Sequence, residues 1–316
     1  MPYTRPWLNR SDQLSLLKSR GLVVTDDQAA EEYLARIGYY RLSGYWYPYR
    51  HKISSGNTTK TYDQFIPDAR FIDAVYLYVF DKKLRLLAMD ALERIEIAIR
   101  VEIAHVLGEH DKFAHINGTL LDKSFLKPTK RRVPSHKGWV DRYNKLIKRS
   151  KEDFIHHYKK RHGLPLPIWV AIEIWDFGTL SFFYAGMKGR DRDAIARKFN
   201  AVDGRYLSSW LRSLNYLRNL CAHHSRLWNR NIIDQPIFPT GTAAGDLQHV
   251  SGAAHKARPF ALFCILQRLM KEICPNSSWH TRFKEHMSHF PQDLNGHCTT
   301  KQMGCPQNWE GWSLWQ

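Results

Sequence analysis

The sequence predicts an all-α protein, a helical bundle with an N-terminal helical extension and a C-terminal tail that is part helix and part irregular. Three observations carry that expectation. Apolar residues recur at steps of three and four from Phe71 to about Leu107, and a second stretch of the same period runs from Tyr206 to Arg230. Nowhere does a strand-pairing signal become strong enough to suggest a large sheet. The chain has 316 residues, roughly two average domains by length, and its 43% hydrophobic content supplies a substantial core.

Residues 1–64 read as the N-terminal extension. "SDQLSLLKSRG" starts with Ser11 as a candidate N-cap and stops at Gly21, and "TDDQAAEEYLARIGYY" starts again at Thr25. A short helical segment is thus expected first and something more irregular after it, and "GYYRLSGYWYPYRHK" follows, dense in Tyr, Trp and Arg. Rings interleaved with cations can stack bases and hold phosphates, which makes Tyr40 and Arg41 candidate RNA contacts. Tyr and Trp also pack half-buried with their polar tips wet, and that reading is favoured for most of these rings.

Residues 65–235 read as the helical core. Leu84, Leu87, Ala91, Leu92, Ile95, Ala98, Ile99, Ile103 and Val106 form one apolar stripe, with Gly108 marking its end. Asp81 with Arg85, and Glu96 with Arg100, stand four apart in the stabilising acid-first order. The basic loop "DKSFLKPTKRRVPSHKG" offers Lys130, Arg131 and Arg132 either as an arm over RNA or as an ordinary solvated connector. A helical stretch from Trp139 to His162 precedes "LPLPIWVAIEIWDFGTLSFFYAGM", a nearly apolar run holding Glu173 and Asp176. A carboxylate buried there unpaired would cost several kcal/mol, so Glu173 is expected to pair with an arginine or to orient a catalytic group.

Residues 236–316 open as a loop through residue 258, form a last helix from Phe260 to Cys274, and end in a polar tail that bears Gly and Trp.

Forty-seven Lys and Arg against 30 Asp and Glu leave a formal charge of +17, with a sequence pI near 9.7. Basic residues spread along the whole chain point to a polyanionic partner, nucleic acid before membrane, although charge also keeps a protein soluble. The N-terminus has no apolar core of signal-peptide length and no run reaches about 18 apolar residues, so a cytoplasmic protein without membrane contact is expected. Five scattered cysteines fit reduced thiols. His297, Cys298 and Cys305 match no common zinc spacing, and neither metal nor cofactor is expected.

One stretch concentrates the nitrogen chemistry: "LRNLCAHHSRLWNR", Leu217 to Arg230. On a helical wheel Leu207, Trp210, Leu214, Leu217, Cys221, His224 and Trp228 share one side, which reads His224 as a core histidine satisfied by a hydrogen bond. Arg212, Asn215, Asn219, His223, Arg226 and Arg230 share the other, with Arg218 at the flank. Metal-free RNA scission, in which the 2′-hydroxyl attacks its own phosphate, calls for such a set. Histidine moves protons near neutral pH, and arginine offers phosphate a permanently charged planar fork. A solvated helix face is the alternative, but such faces are rich in Lys and Glu, and this stretch has neither. One helix carries half a site, so two copies across a symmetric dimer would complete it.

"RNLCAHH", Arg218 to His224, resembles the signature of HEPN-domain ribonucleases, an arginine and a polar residue separated by spacers from a histidine. With it, "IGYYRLSGYWYP", "FDKKLRLLAMDALERIEIAIR", "LPIWVAIEIWDFGTLSFFY" and "SWLRSLNYLRNLCAHHSRLWNR" are similar, in order, to blocks of the Abi family of bacterial abortive-infection proteins, of the AbiD and AbiF type. The likeness spans about residues 10–235. It implies a HEPN-type helical bundle that forms a homodimer and a metal-independent endoribonuclease used in phage defence or as a toxin. It also implies two RNA partners, a target RNA and a small noncoding RNA that restrains the enzyme. Carried onto this chain, the resemblance makes Arg218 and His223 the catalytic pair, with Asn219 as the polar residue. Arg212, Arg226 and Arg230, on the polar side of the same wheel, are further candidate RNA contacts. Arg100 and His105 repeat the spacing, but Val101 departs from the polar position. A non-cleaving RNA-binding module and a scaffold with a degenerate site remain open alternatives.

Overall fold

The computed structural model describes residues 2, 4, 6–56, 58–127, 136–292 and 296–316. Helix α1, Arg10–Ser19, is capped by Asn9, whose side chain accepts from the Asp12 N–H at 2.9 Å. Helix α2, Asp27–Arg36, is capped by Asp26 in the same way. Each cap lies within two residues of the expected Ser11 and Thr25, and a carboxamide and a carboxylate do the work in place of the hydroxyls. Helix α3, Tyr39–Trp46, buries Leu42, Tyr45 and Trp46, and the next turn buries Tyr49. Packing thus absorbs most of the aromatic segment, while Tyr40 stays 91% exposed.

The irregular piece expected before residue 64 is a hairpin. Strand β1, Arg50–Ser55, runs antiparallel to β2, Thr58–Phe65, with Gly56 at φ +57° turning the chain between them. Both faces are largely exposed, so the strands lack the apolar alternation by which a strand is read from sequence. Among the described residues this two-stranded sheet is the only one, and the protein is predominantly helical.

Helix α4, Phe71–His110, has 40 residues and is therefore about 60 Å long at 1.5 Å per residue. It runs two residues past the expected stop at Gly108, where a Cβ would meet the Trp169 ring at an ordinary contact of 3.5 Å, so nothing there requires the helix to stop. Its stripe from Leu84 to Leu107 is buried, and truncating one such Leu or Ile typically costs roughly 2–5 kcal/mol. The expected helix from Trp139 to His162 is two: α5, His136–Arg149, and α6, Asp153–His162. They break where the Ser150 hydroxyl accepts from the Glu152 N–H, a local bond that competes with the helix ladder.

Short helix α7, Ile168–Ala171, leads to α8, Phe177–Ala185, then α9, Gly189–Lys198, and α10, Gly204–Ala222. After α11, Ala253–Lys256, come α12, Pro259–Ile273, and α13, Trp279–Ser288. Helices α3, α7, α9, α10, α12 and α13 all pack on α4, and α8 packs on α10. The tail is less polar in place than in sequence. Trp279, Trp309 and Trp315 are buried around Phe260 and Phe283, and the Trp279 indole N–H donates to the Leu87 carbonyl of α4 at 2.8 Å. Among the described residues no helix is long and apolar enough to cross a membrane.

Candidate functional site

Helix α10 starts at Asp203, whose carboxylate accepts from the N–H groups of Arg205 and Tyr206. Its Leu207, Trp210, Leu214, Leu217 and Cys221 are buried as the wheel predicts, which turns Arg218 and Asn219 to a half-buried flank. Arg218 donates to the Asn219 side-chain oxygen at 3.2 Å and forms no ion pair among the described residues. Across from it, burial raises the carboxyl pKa of Glu96, and the positive charges of Arg100 and Arg218 oppose that rise. The guanidinium of Arg218 therefore stands near the Glu96 carboxyl, with donors to spare.

The helix does not continue to Arg230. It ends at Ala222, with His223 as C-cap and His224 in the left-handed region at φ +55°. The His224 N–H donates to the Cys221 carbonyl at 3.0 Å, and the Ser225 N–H reaches back to Leu220 at 2.9 Å. These two bonds make a Schellman closure, a motif that usually has glycine where His224 stands. Histidine tolerates that conformation better than most residues, so the stop was hidden in sequence. His224 is consequently exposed and not part of the apolar stripe, contrary to expectation. His223 is exposed as well, and its N–H donates to the Asn219 carbonyl at 3.0 Å. Asn219 thus touches both members of the expected pair, Arg218 through its side chain and His223 through its backbone.

The turn after His223 is fastened from two other helices. Arg41 of α3 donates to the His224 carbonyl at 2.6 Å, and Arg226 donates to the Gly44 carbonyl of the same helix. From α4, Arg85 donates to the Ser225 carbonyl at 3.2 Å. The Asp81 carboxylate accepts from the N–H groups of Leu227 and Trp228 at 3.0 and 2.7 Å, from the Tyr45 hydroxyl at 2.6 Å and from Arg85. Burial pushes the Asp81 carboxyl pKa up and its donors oppose that rise. Every contact to it is a donor, which holds it as the carboxylate. Burial likewise raises the Tyr45 phenol and keeps it a donor. The spacing of Asp81 and Arg85 was legible in sequence, but their part in positioning the histidine turn was not.

The other expected RNA contacts are dispersed. Tyr40 stands exposed beside Arg41 on α3. Arg212 is exposed six residues before Arg218, 3.9 Å from Asp234, and Arg230 reaches the Tyr216 hydroxyl at 3.4 Å. Lys130, Arg131 and Arg132 lie outside the described residues. In the echo of the motif, Arg100 is committed to Glu96 at 2.5 Å and to the Trp175 carbonyl at 2.7 Å. His105 faces a separate surface cavity with Trp169 and Glu173.

Glu173 itself is 53% exposed and 3.9 Å from Arg100, so the burial that demanded a partner is absent. Asp176 instead caps α8 and pairs with Arg142 at 2.8 Å. Burial pushes its carboxyl pKa up, but the Thr179 and Arg142 donors outweigh that and hold it below the usual range. Cys298 and Cys305 are buried, and no group of three or more His, Cys, Asp or Glu among the described residues is placed to hold a metal ion.

The arrangement offers an exposed imidazole on a fastened turn and, on the preceding turns of α10, a guanidinium that an amide holds by one hydrogen bond, groups of the kind used for proton transfer beside a phosphate. No curated protein and no solved structure matches the chain. The sequence model of one family, described as Abi-like protein, matches residues 32–229, from α2 through the histidine turn. That span covers well over half of the chain and holds all the elements that build the site, so the chain belongs to the Abi-like protein family.

Proposed function

We propose that this protein is a metal-independent endoribonuclease that acts in the cytoplasm as a homodimer, in phage defence or as a toxin. Membership of the Abi-like family suggests abortive infection. The observation that carries the chemistry is the exposed His223 C-cap, on a turn fixed by bonds from α3 and α4 and five residues on from an Arg218 with spare donors. In this reading His223 moves the proton of the attacking 2′-hydroxyl or of the leaving 5′-oxygen, and Arg218 neutralises the phosphate oxygens as charge develops. Asn219 keeps the guanidinium oriented. One chain supplies one such histidine, and a second copy across a two-fold axis supplies the complementary acid or base. A small noncoding RNA restrains the enzyme until it is needed.

The test is expression in bacteria of wild type beside His223→Ala and Arg218→Ala, with the 5′ ends of cellular RNA sequenced. Growth arrest with new ends in wild type alone supports the nuclease and identifies its target. Copurifying uncut RNA without growth arrest, equal in all three, would instead favour a module that binds RNA and does not cut it.

A further inference from the structure

Between α8, α9 and α10 lies a cavity of about 450 Å³, within the range of small-ligand sites. Arg192, Arg205, Arg212 and Asn215 line it together with serines, Phe182 and Ile237, and no carboxylate does. Arg192 comes from α9 and Arg205 and Arg212 from α10, so the cations converge only if these helices pack closely. Gly204, the first residue of α10, allows this. A Cβ there would stand 2.4 Å from the Arg192 Cβ, and only glycine lets α9 press this close.

Two of the three cations are short of acceptors. The Nε of Arg192 is buried with no hydrogen-bond partner, and its Nη1 reaches only the Ala185 carbonyl at 3.4 Å. Arg212 has Asp234 no nearer than 3.9 Å. Arg205 is held by Asp203 at 2.8 Å, at the surface. An oxyanion with several acceptor oxygens fits this deficit, because planar guanidiniums bind phosphate through paired N–H donors.

The same cavity has an apolar side. Phe182 is half-buried, and Ile237 is held at the rim, where its N–H donates to the Ser209 hydroxyl and its carbonyl accepts from the Trp210 indole, both at 2.9 Å. A ring face beside a basic wall is what a nucleotide needs, one part for the base and one for the phosphate. Position along α10 ties the cavity to the catalytic pair. Arg212 and Arg218 are six residues apart on one helix, about 9 Å along its axis, with Asn215 between them.

We propose that the α8–α10 cavity is an RNA subsite that holds one nucleotide of the bound strand, its phosphate on Arg192 and Arg212 and its base against Phe182 and Ile237. The strand then continues along α10 to Arg218. The assignment rests on the ribonuclease reading for its direction along the helix, but its binding chemistry can be measured without cleavage.

The experiment uses His223→Ala protein and a short random-sequence RNA labelled with fluorescein, followed by anisotropy across a salt series. Adding Arg205→Glu and Arg212→Glu, both exposed side chains, is expected to weaken binding by about tenfold or more and to flatten the salt dependence by about one phosphate contact, that of Arg212. Adding Lys82→Glu and Lys83→Glu on α4 makes the same change in net charge and is expected to leave binding nearly unchanged. Equal losses in the two double variants would overturn the subsite, because net charge alone would then account for them. Adenosine monophosphate that binds in an Arg212-dependent way without competing with the RNA would also overturn it, in favour of a free-nucleotide site. Arg212-dependent binding by a wild type that never cuts sinks the nuclease and leaves the subsite. Cutting with Arg212-independent binding does the reverse.

Discussion

Asp81, at the middle of the core on α4, accepts the Trp228 N–H at 2.7 Å across 147 residues of sequence, and so ties the longest helix to the turn that displays His223. Helix α10 supplies the position of Arg218 through its own ladder, but it ends one residue before the histidine. What fixes His223 relative to Arg218 is therefore tertiary.

Asp81→Asn removes the charge while keeping the shape. It leaves Arg85 buried opposite a neutral group, and an amide N–H₂ would face donors. Breaking a buried pair in this way costs about 3–5 kcal/mol. Urea unfolding is expected to register that loss, and cleavage by the folded fraction should fall with it. A change under about 1 kcal/mol would mean that the pair does not hold the turn.

The two adjacent histidines should separate cleanly. His224→Gly relieves a left-handed residue worth about 1 kcal/mol, part of which returns as unfolded-chain entropy, for a net gain of roughly 0.5 kcal/mol. Cleavage should persist in that variant. His223→Ala should abolish cleavage and leave the thermal midpoint unchanged. Loss of cleavage in a folded His224→Gly protein would transfer the catalytic role to the second imidazole.

Arg100 and His105 should behave as scaffold and surface. Arg100→Ala breaks bonds to Glu96 and to the Trp175 carbonyl, and is expected to cost roughly 1–3 kcal/mol of stability. His105→Ala should leave both stability and cleavage rates near wild type. A large rate loss in His105→Ala at unchanged stability would establish a second catalytic motif.

Acid should destabilise the fold through two histidines. Burial lowers the pKa of His115 to about 4, with His136 adding to the effect. Burial does the same for His286, against its hydrogen bond to the Phe80 carbonyl. The unfolded chain binds these protons near pH 6.5 and the folded protein near pH 4. Stability is therefore fully present above pH 6.5 and is lost as pH falls through that window. Glu96, raised by burial, works in the opposite sense, so the difference between variants is the cleaner reading. Wild type should lose about 1.4 kcal/mol more per pH unit than His286→Gln between pH 6 and 4.5. Parallel curves would show that His286 is not buried in its neutral form.

Periodicity made α4, α10 and α12 legible, because a helix buried on one side writes its period into the chain. Asp81 with Arg85 and Glu96 with Arg100 were legible for the same local reason. The hairpin was not, since strands exposed on both faces show no alternation, and the tail's tryptophans looked polar only because their neighbours are. Of the candidate site, Arg218, Asn219 and His223 could be named from the polar face of the helix together with the resemblance to the HEPN signature. The end of α10 could not, because histidine occupies a place where glycine is the usual signal. Arg41 and Arg226 each give a donor to a backbone carbonyl near the histidine turn. That role depends on contacts made more than 180 residues away in sequence.

The most direct measurement is the chemistry of the cut ends. Purified protein is incubated with labelled RNA in excess EDTA, beside His223→Ala and Arg218→Ala variants of matched thermal midpoint. Wild type is expected to give products ending in 2′,3′-cyclic phosphate and 5′-hydroxyl, and neither variant to give any. Cutting that EDTA abolishes, that leaves 5′-phosphate ends, or that survives both substitutions would contradict the proposed function.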